Sequence, residues 1–262
     1  MDIVRMKVVY EIPGMDAVTV RRDVPYHGEL LLDAYYPRQA GDGERQAGDD
    51  TRLPAVILAA AFPDLGMQSR MGCGFRDMGW TVSWARLIAA SGMVAITYTA
   101  HEPVAHAAAL LQYLRDNADA LCIDTTRLGV LASSGHSPLA LSLLPNGIHC
   151  AALLYPYTLD LDGSTAVADN AKAFGYANPG ADMPAGVPLF IARAGADQIP
   201  RLNEALDRFV AECLRRNVDL TLVNHAAAPH AFDLMDDSDA TREVVKRVLR
   251  FLRYQLGVRS KH

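Results

Sequence analysis

Leu128-Gly129-Val130-Leu131-Ala132-Ser133-Ser134-Gly135-His136 is the stretch that decides the fold of this chain. An apolar run of strand length ends in a Ser-Ser-Gly turn, and Pro138 follows where the first turn of a helix tolerates its missing N–H. A serine on such a sharp strand-to-helix turn presents its hydroxyl at the end of a sheet. Two other residues have comparable settings. Asp197 follows the apolar run Val187–Arg193 through Ala194-Gly195-Ala196, and His230 follows Leu220–Val223 in Ala228-Pro229-His230-Ala231-Phe232. Nucleophile, acid and base in that chain order, each just past a strand, is the arrangement that a serine-nucleophile enzyme on an open α/β sheet requires.

The surrounding pattern agrees. Ala55–Ala60, Met93–Tyr98, Leu128–Ala132, Cys150–Leu154, Val187–Arg193 and Leu220–Val223 are near-continuous apolar runs, as expected of strands covered on both faces. Helical segments alternate with them: Trp80–Ser91, Pro103–Ala118, Pro138–Leu144, Leu202–Asn217 and Thr241–Leu256. The last two carry apolar residues at spacings of three and four, and Ser238 or Asp239 is placed to cap the final helix. This alternation predicts a mostly parallel central sheet with helices on both faces. Before it, Val8–Ile12, Ala17–Arg22 and Leu30–Tyr36 read as antiparallel strands. A polar loop with the direct repeat Arg38–Asp42 and Arg45–Asp49 reads as an exposed hairpin connection, and 156–186, punctuated by Gly and Pro, as a small cap. The expectation is a single domain spanning 1–262.

Composition narrows the function classes. The chain has 262 residues, half of them hydrophobic, with a net charge of −5. No clustered basic face suggests nucleic acid, and no apolar run approaches the roughly 18 residues of a membrane helix. Met1–Lys7 lacks the apolar core of a signal peptide, so a soluble cytoplasmic protein is expected, and a homodimer is compatible with this reading. Cys73, Cys122, Cys150 and Cys213 form no CxxC pair and are read as free thiols. With no HExxH spacing either, neither metal nor cofactor is expected.

At the serine turn, the strand places Ser134 at the centre, with Ala132 and His136 at the two positions where small residues let strand and helix approach. Ala132 fits and His136 does not. Ser133 and Ser137 are the alternatives, and Ser134 could also simply open a helix. The N–H of Gly135 is the expected first oxyanion donor, and that of Phe62, with Ala61 as second choice, the other. Asp160 is the alternative acid and His225 the alternative base. Trp84, Tyr155, Tyr157 and Phe232, with Trp80 and Phe62, are candidates to line a substrate pocket, although each alone is an ordinary core residue.

On Leu32-Asp33-Ala34-Tyr35-Tyr36-Pro37, Arg127–Gly135, Pro188–Asp197 and Pro229-His230-Ala231-Phe232, about residues 26 to 257 resemble the α/β-hydrolase superfamily, in its dienelactone-hydrolase-like and acetylesterase-like group. The resemblance implies the α/β-hydrolase fold and a serine carboxylic-ester hydrolase acting on a small ester through an acyl-serine. Dienelactone hydrolases use cysteine where this chain has Ser134. An acyltransferase or thioesterase would share the same triad. A non-catalytic small-molecule-binding homologue is the other reading, kept open by His136.

Overall fold

The computed structural model describes residues 3–38, 52–159, 161 and 183–258. Their strands form one eight-stranded sheet. In chain order these are β1 (Thr19–His27), β2 (Leu30–Tyr36), β3 (Leu53–Leu58), β4 (Val94–Tyr98), β5 (Ile123–Ser133), β6 (Cys150–Leu154), β7 (Leu189–Ala194) and β8 (Leu220–His225). The spatial order is β1-β2-β4-β3-β5-β6-β7-β8. β1 and β2 pair antiparallel, as do β2 and β4, and every other pair is parallel. All six apolar runs read as core strands lie in the parallel part; β3, β4, β6 and β7 are almost wholly buried, as is β5 from Leu128 onward.

The helices are α1 (Asp64–Met71), α2 (Gly79–Ala90), α3 (Pro103–Asp116), α4 (Ser137–Leu143), α5 (Leu202–Arg215), α6 (Phe232–Met235) and α7 (Asp239–Gln255). They cover both faces of the sheet. α5 and α7 each bury one apolar stripe, with Phe209 and Cys213 on α5 and Val248 and Leu252 on α7. Phe251 of α7 packs on Phe190 of β7, with ring centroids 5.5 Å apart. The Ser238 hydroxyl caps α7 by accepting the N–H of Thr241. Burial pushes the Cys150 and Cys213 thiols up to about 12.

One expected strand is absent. Val8–Ile12 joins no ladder. Its backbone is taken up elsewhere: Val8 N–H donates to Ser83 Oγ at 3.0 Å, and Val9 N–H to the carbonyl of Asp233 at 2.9 Å. The segment is a strap across α2, and the residues just before it leave no room for a side chain at Gly79, where a Cβ would stand 2.8 Å from the Arg5 carbonyl. In β1 the register shifts between Arg21 and Val24, where Asp23 has φ 54° and its N–H donates to the buried Asp33 carboxylate at 2.9 Å. The direct-repeat loop lies almost wholly, and the expected cap 156–186 largely, outside the described residues.

Candidate active site

Three connections leave the C-terminal ends of β5, β7 and β8 at one rim of the sheet. β5 ends at Ser133, and Ser134 turns the chain with φ 47° into the short turn Ser134–His136 and then α4, with Pro138 in its first turn. A left-handed backbone at a non-glycine residue costs on the order of 1–3 kcal/mol and persists only where its surroundings enforce it. Tyr155, just past β6, and Ala231, beside His230, share this strain, with φ 37° and 57°. Two further strained residues thus adjoin the site, Tyr155 packing against the His230 ring.

The three side chains meet. Ser134 Oγ lies 2.8 Å from His230 Nε2, and His230 Nδ1 lies 2.6 Å from Asp197 Oδ2. A carboxylate can only accept, so Nδ1 carries the imidazole proton and Nε2 is left to accept from the Ser134 hydroxyl. The Asp197 carboxyl is 1% exposed and its other oxygen accepts the N–H of Ile199 at 2.9 Å. The His230 side chain is 24% exposed, so the chain of bonds opens to solvent at the serine end.

The alternatives are occupied elsewhere. His225 is buried against α7, with Nε2 3.0 Å from Thr241 Oγ1 and 3.2 Å from Asp236 Oδ2. Ser133 bonds to Tyr155, and Ser137 is wholly buried at the start of α4. Asp160 lies outside the described residues.

Ala61 is excluded as an oxyanion donor because its N–H is already committed. Successive amides leaving β3 are spoken for: Ala59 donates to Leu131 O at 3.0 Å, Ala60 to Tyr98 Oη at 3.2 Å and Ala61 to His136 Nδ1 at 2.9 Å. Phe62 comes next, half-buried, its ring 5.0 Å from that of His136. Gly135 is buried beside Ser134.

Of the six aromatic residues considered for a pocket lining, Trp80, Trp84, Tyr155 and Phe232 are buried in the core. Trp84 and Phe232 are 0% exposed and Tyr155 is 3%. Three of the four, Trp80, Trp84 and Tyr155, converge on a buried carboxylate, Asp233. Asp233 accepts from Trp80 Nε1 at 2.7 Å and Trp84 Nε1 at 2.8 Å on one oxygen, and from Tyr155 Oη at 2.7 Å on the other. Burial pushes the Asp233 carboxyl and the Tyr155 phenol upward, while the three donors favour the carboxylate. The Tyr155 ring stands edge-on to His230 at 4.8 Å and to Phe232 at 5.4 Å. Asp233 therefore anchors the backing of the loop that carries His230. Tyr157 keeps a rim position: it is half-buried, and its N–H donates to Ser134 O at 3.2 Å.

The loops that carry Asp197 and His230 are also zipped to each other. Gly195 N–H donates to His225 O and Ala196 N–H to Ala228 O, both at 2.9 Å. A Cβ on Gly195 would lie 2.6 Å from Ala226 Cα, so only glycine permits this approach. Gly195→Ala is expected to push the loops apart and stretch the Asp197–His230 bond. Turnover of a reactive ester should fall by about 100-fold, the scale associated with a 1 Å misplacement. Circular dichroism should show a folded protein, and stopped-flow or plate kinetics would record the loss.

No protein-family model matches the chain, and no curated protein matches it in sequence. Solved structures do. An α/β-hydrolase enzyme, MGS-M1, from a Medee basin deep-sea metagenome library superposes with a TM-score of 0.63 at 19% identity, covering 92% of this chain and 99% of that one. A bacterial heroin esterase gives 0.65 at 15% identity, covering 96% and 88%. The esterase LipW from Mycobacterium marinum gives 0.66 at 16%, covering 91% and 82%. The chain has the α/β-hydrolase fold. No helix among the described residues is long and apolar enough to cross a membrane.

Proposed function

We propose that this single α/β-hydrolase domain is a serine carboxylic-ester hydrolase of the dienelactone-hydrolase-like and acetylesterase-like kind, acting on small esters through an acyl-Ser134 intermediate. The observation that carries the reading is the continuous bond chain Ser134–His230–Asp197, with its serine on a strained turn. His230 Nε2 takes the Ser134 proton as Oγ attacks the ester carbonyl. Asp197 holds the imidazole in the required tautomer and stabilises the imidazolium. The N–H groups of Gly135 and Phe62 receive the developing oxyanion. Collapse expels the alcohol, protonated by His230. Water, deprotonated by the same nitrogen, then attacks the acyl-enzyme and releases the acid. Tyr157 stands at the substrate side of this rim. Several proteins sharing the fold are esterases, in keeping with this assignment.

A pocket that binds without turnover is disfavoured by the position of His136. Its ring faces the β3 loop, bonded to Ala61 and packed on Phe62 and Phe75, so it leaves the serine uncovered. A fluorophosphonate probe should label the wild-type protein on the peptide containing Ser134. A panel of p-nitrophenyl esters from acetate to octanoate should show hydrolysis favouring the short acyl chains. Labelling on another serine, or none, would refute the assignment.

A further inference from the structure

The residue that breaks the small-residue pattern of the turn has a built environment of its own. His136 is 7% exposed. Its ring lies between those of Phe75, 4.2 Å away, and Phe62, 5.0 Å away. Nδ1 accepts the Ala61 N–H, so that nitrogen is unprotonated, and burial lowers the group to about 3. The ring is neutral throughout the range in which an esterase would be assayed. Its Cα is two residues past Ser134, and its bond reaches the residue before Phe62.

The same loop is fastened at its other end. The buried Asp64 carboxylate accepts the N–H of Ala100, and that of Phe75 at 3.3 Å, while Asp64 N–H donates to Ala100 O at 2.7 Å. Between the two fastenings lie only Phe62 and Pro63, and Pro63 has no N–H to offer. Phe62 is thus flanked by a fastening on each side.

We propose that His136 is a positioning residue that clamps the β3 loop to the serine turn, and that by occupying the Ala61 amide it sets the Phe62 N–H at a fixed place relative to Gly135. The inference rests on the serine-hydrolase reading. A small residue at this position would let strand and helix approach but could not bridge to the loop; the imidazole does so with one bond and two ring contacts. The two oxyanion donors, which come from chain segments more than seventy residues apart, are thereby referred to one rigid side chain.

His136→Leu removes the acceptor and keeps the bulk. His136→Asn restores an acceptor, because Asn Oδ1 stands close to where Nδ1 stood. For p-nitrophenyl acetate, the leucine variant should lose about 100-fold in kcat with KM changed by less than about threefold, the signature of weakened oxyanion stabilisation. The asparagine variant should recover most of it. Amide exchange read by NMR should show Ala61 protected in the wild type and the asparagine variant and released in the leucine variant. A leucine variant with wild-type kcat overturns the proposal, and so does an asparagine variant as slow as leucine with Ala61 still protected. Should the leucine variant not fold, a hydrogen-bond scalar coupling between Ala61 N–H and His136 Nδ1 in the wild type decides the matter, its absence overturning the clamp. Should the wild type neither hydrolyse esters nor label at Ser134, the esterase reading falls, while the clamp stands or falls on Ala61 exchange alone.

Discussion

Ser134→Ala is expected to lower kcat for any ester the wild type cleaves by about 10⁶, the usual consequence of deleting a triad nucleophile. The argument is geometric. No other hydroxyl among the described residues bonds to His230, and the two serines nearest Ser134 in the chain are engaged or enclosed: Ser133 with Tyr155, Ser137 at the buried start of α4. Fluorophosphonate labelling should vanish with turnover. The melting temperature should change little, because the lost bond is partly solvent-exposed and the turn keeps a side chain of one carbon. Ser137→Ala is the control and should turn over at the wild-type rate. A Ser134→Ala protein within tenfold of wild type would mean that the chemistry lies elsewhere.

The largest effect on stability is expected at Asp233. Truncation to alanine strands three buried donors, the indoles of Trp80 and Trp84 and the Tyr155 hydroxyl, at about 1–3 kcal/mol each. With partial relief from water entering the void, the loss should be about 3–6 kcal/mol, a large share of a typical domain's stability. Asp233→Asn should do scarcely better, since its amide N–H₂ would face donors on at least one side. Urea unfolding followed by circular dichroism would measure both. Activity should fall as well, through slackening of the Tyr155 ring against His230. A variant with an unchanged urea midpoint would show that the carboxylate is dispensable.

Most of the sheet was legible because parallel strands are dry on both faces and so read as apolar runs. Val8–Ile12 misled because its β-branched residues suit a strand, while its N–H groups go to Ser83 and Asp233, a long-range choice that local propensity cannot show. α1 escaped notice for the opposite reason: Gly66, Gln68, Ser69 and Arg70 give it no apolar stripe. Its boundaries were nevertheless written in the chain, with Pro63 before it and Gly72 in the left-handed conformation after it. The settings of Ser134, Asp197 and His230, each just past a strand, were legible from chain order alone. His136 was visible as a misfit, yet its partner Ala61 lies 75 positions away. Asp233 gave almost no signal beyond two tryptophans four residues apart on one helix, which place two N–H donors on the same side.

Those two indoles are all the tryptophan in the molecule. Emission excited at the red edge of the aromatic band, where tyrosine does not absorb, thus arises wholly from the patch behind the His230 loop, and none of it from the β1–β2 edge. A melt followed by that emission therefore reports on the His230 end of the protein alone. Where it departs from the circular-dichroism melt of the same sample, the difference measures how independently that end loosens from the rest of the sheet.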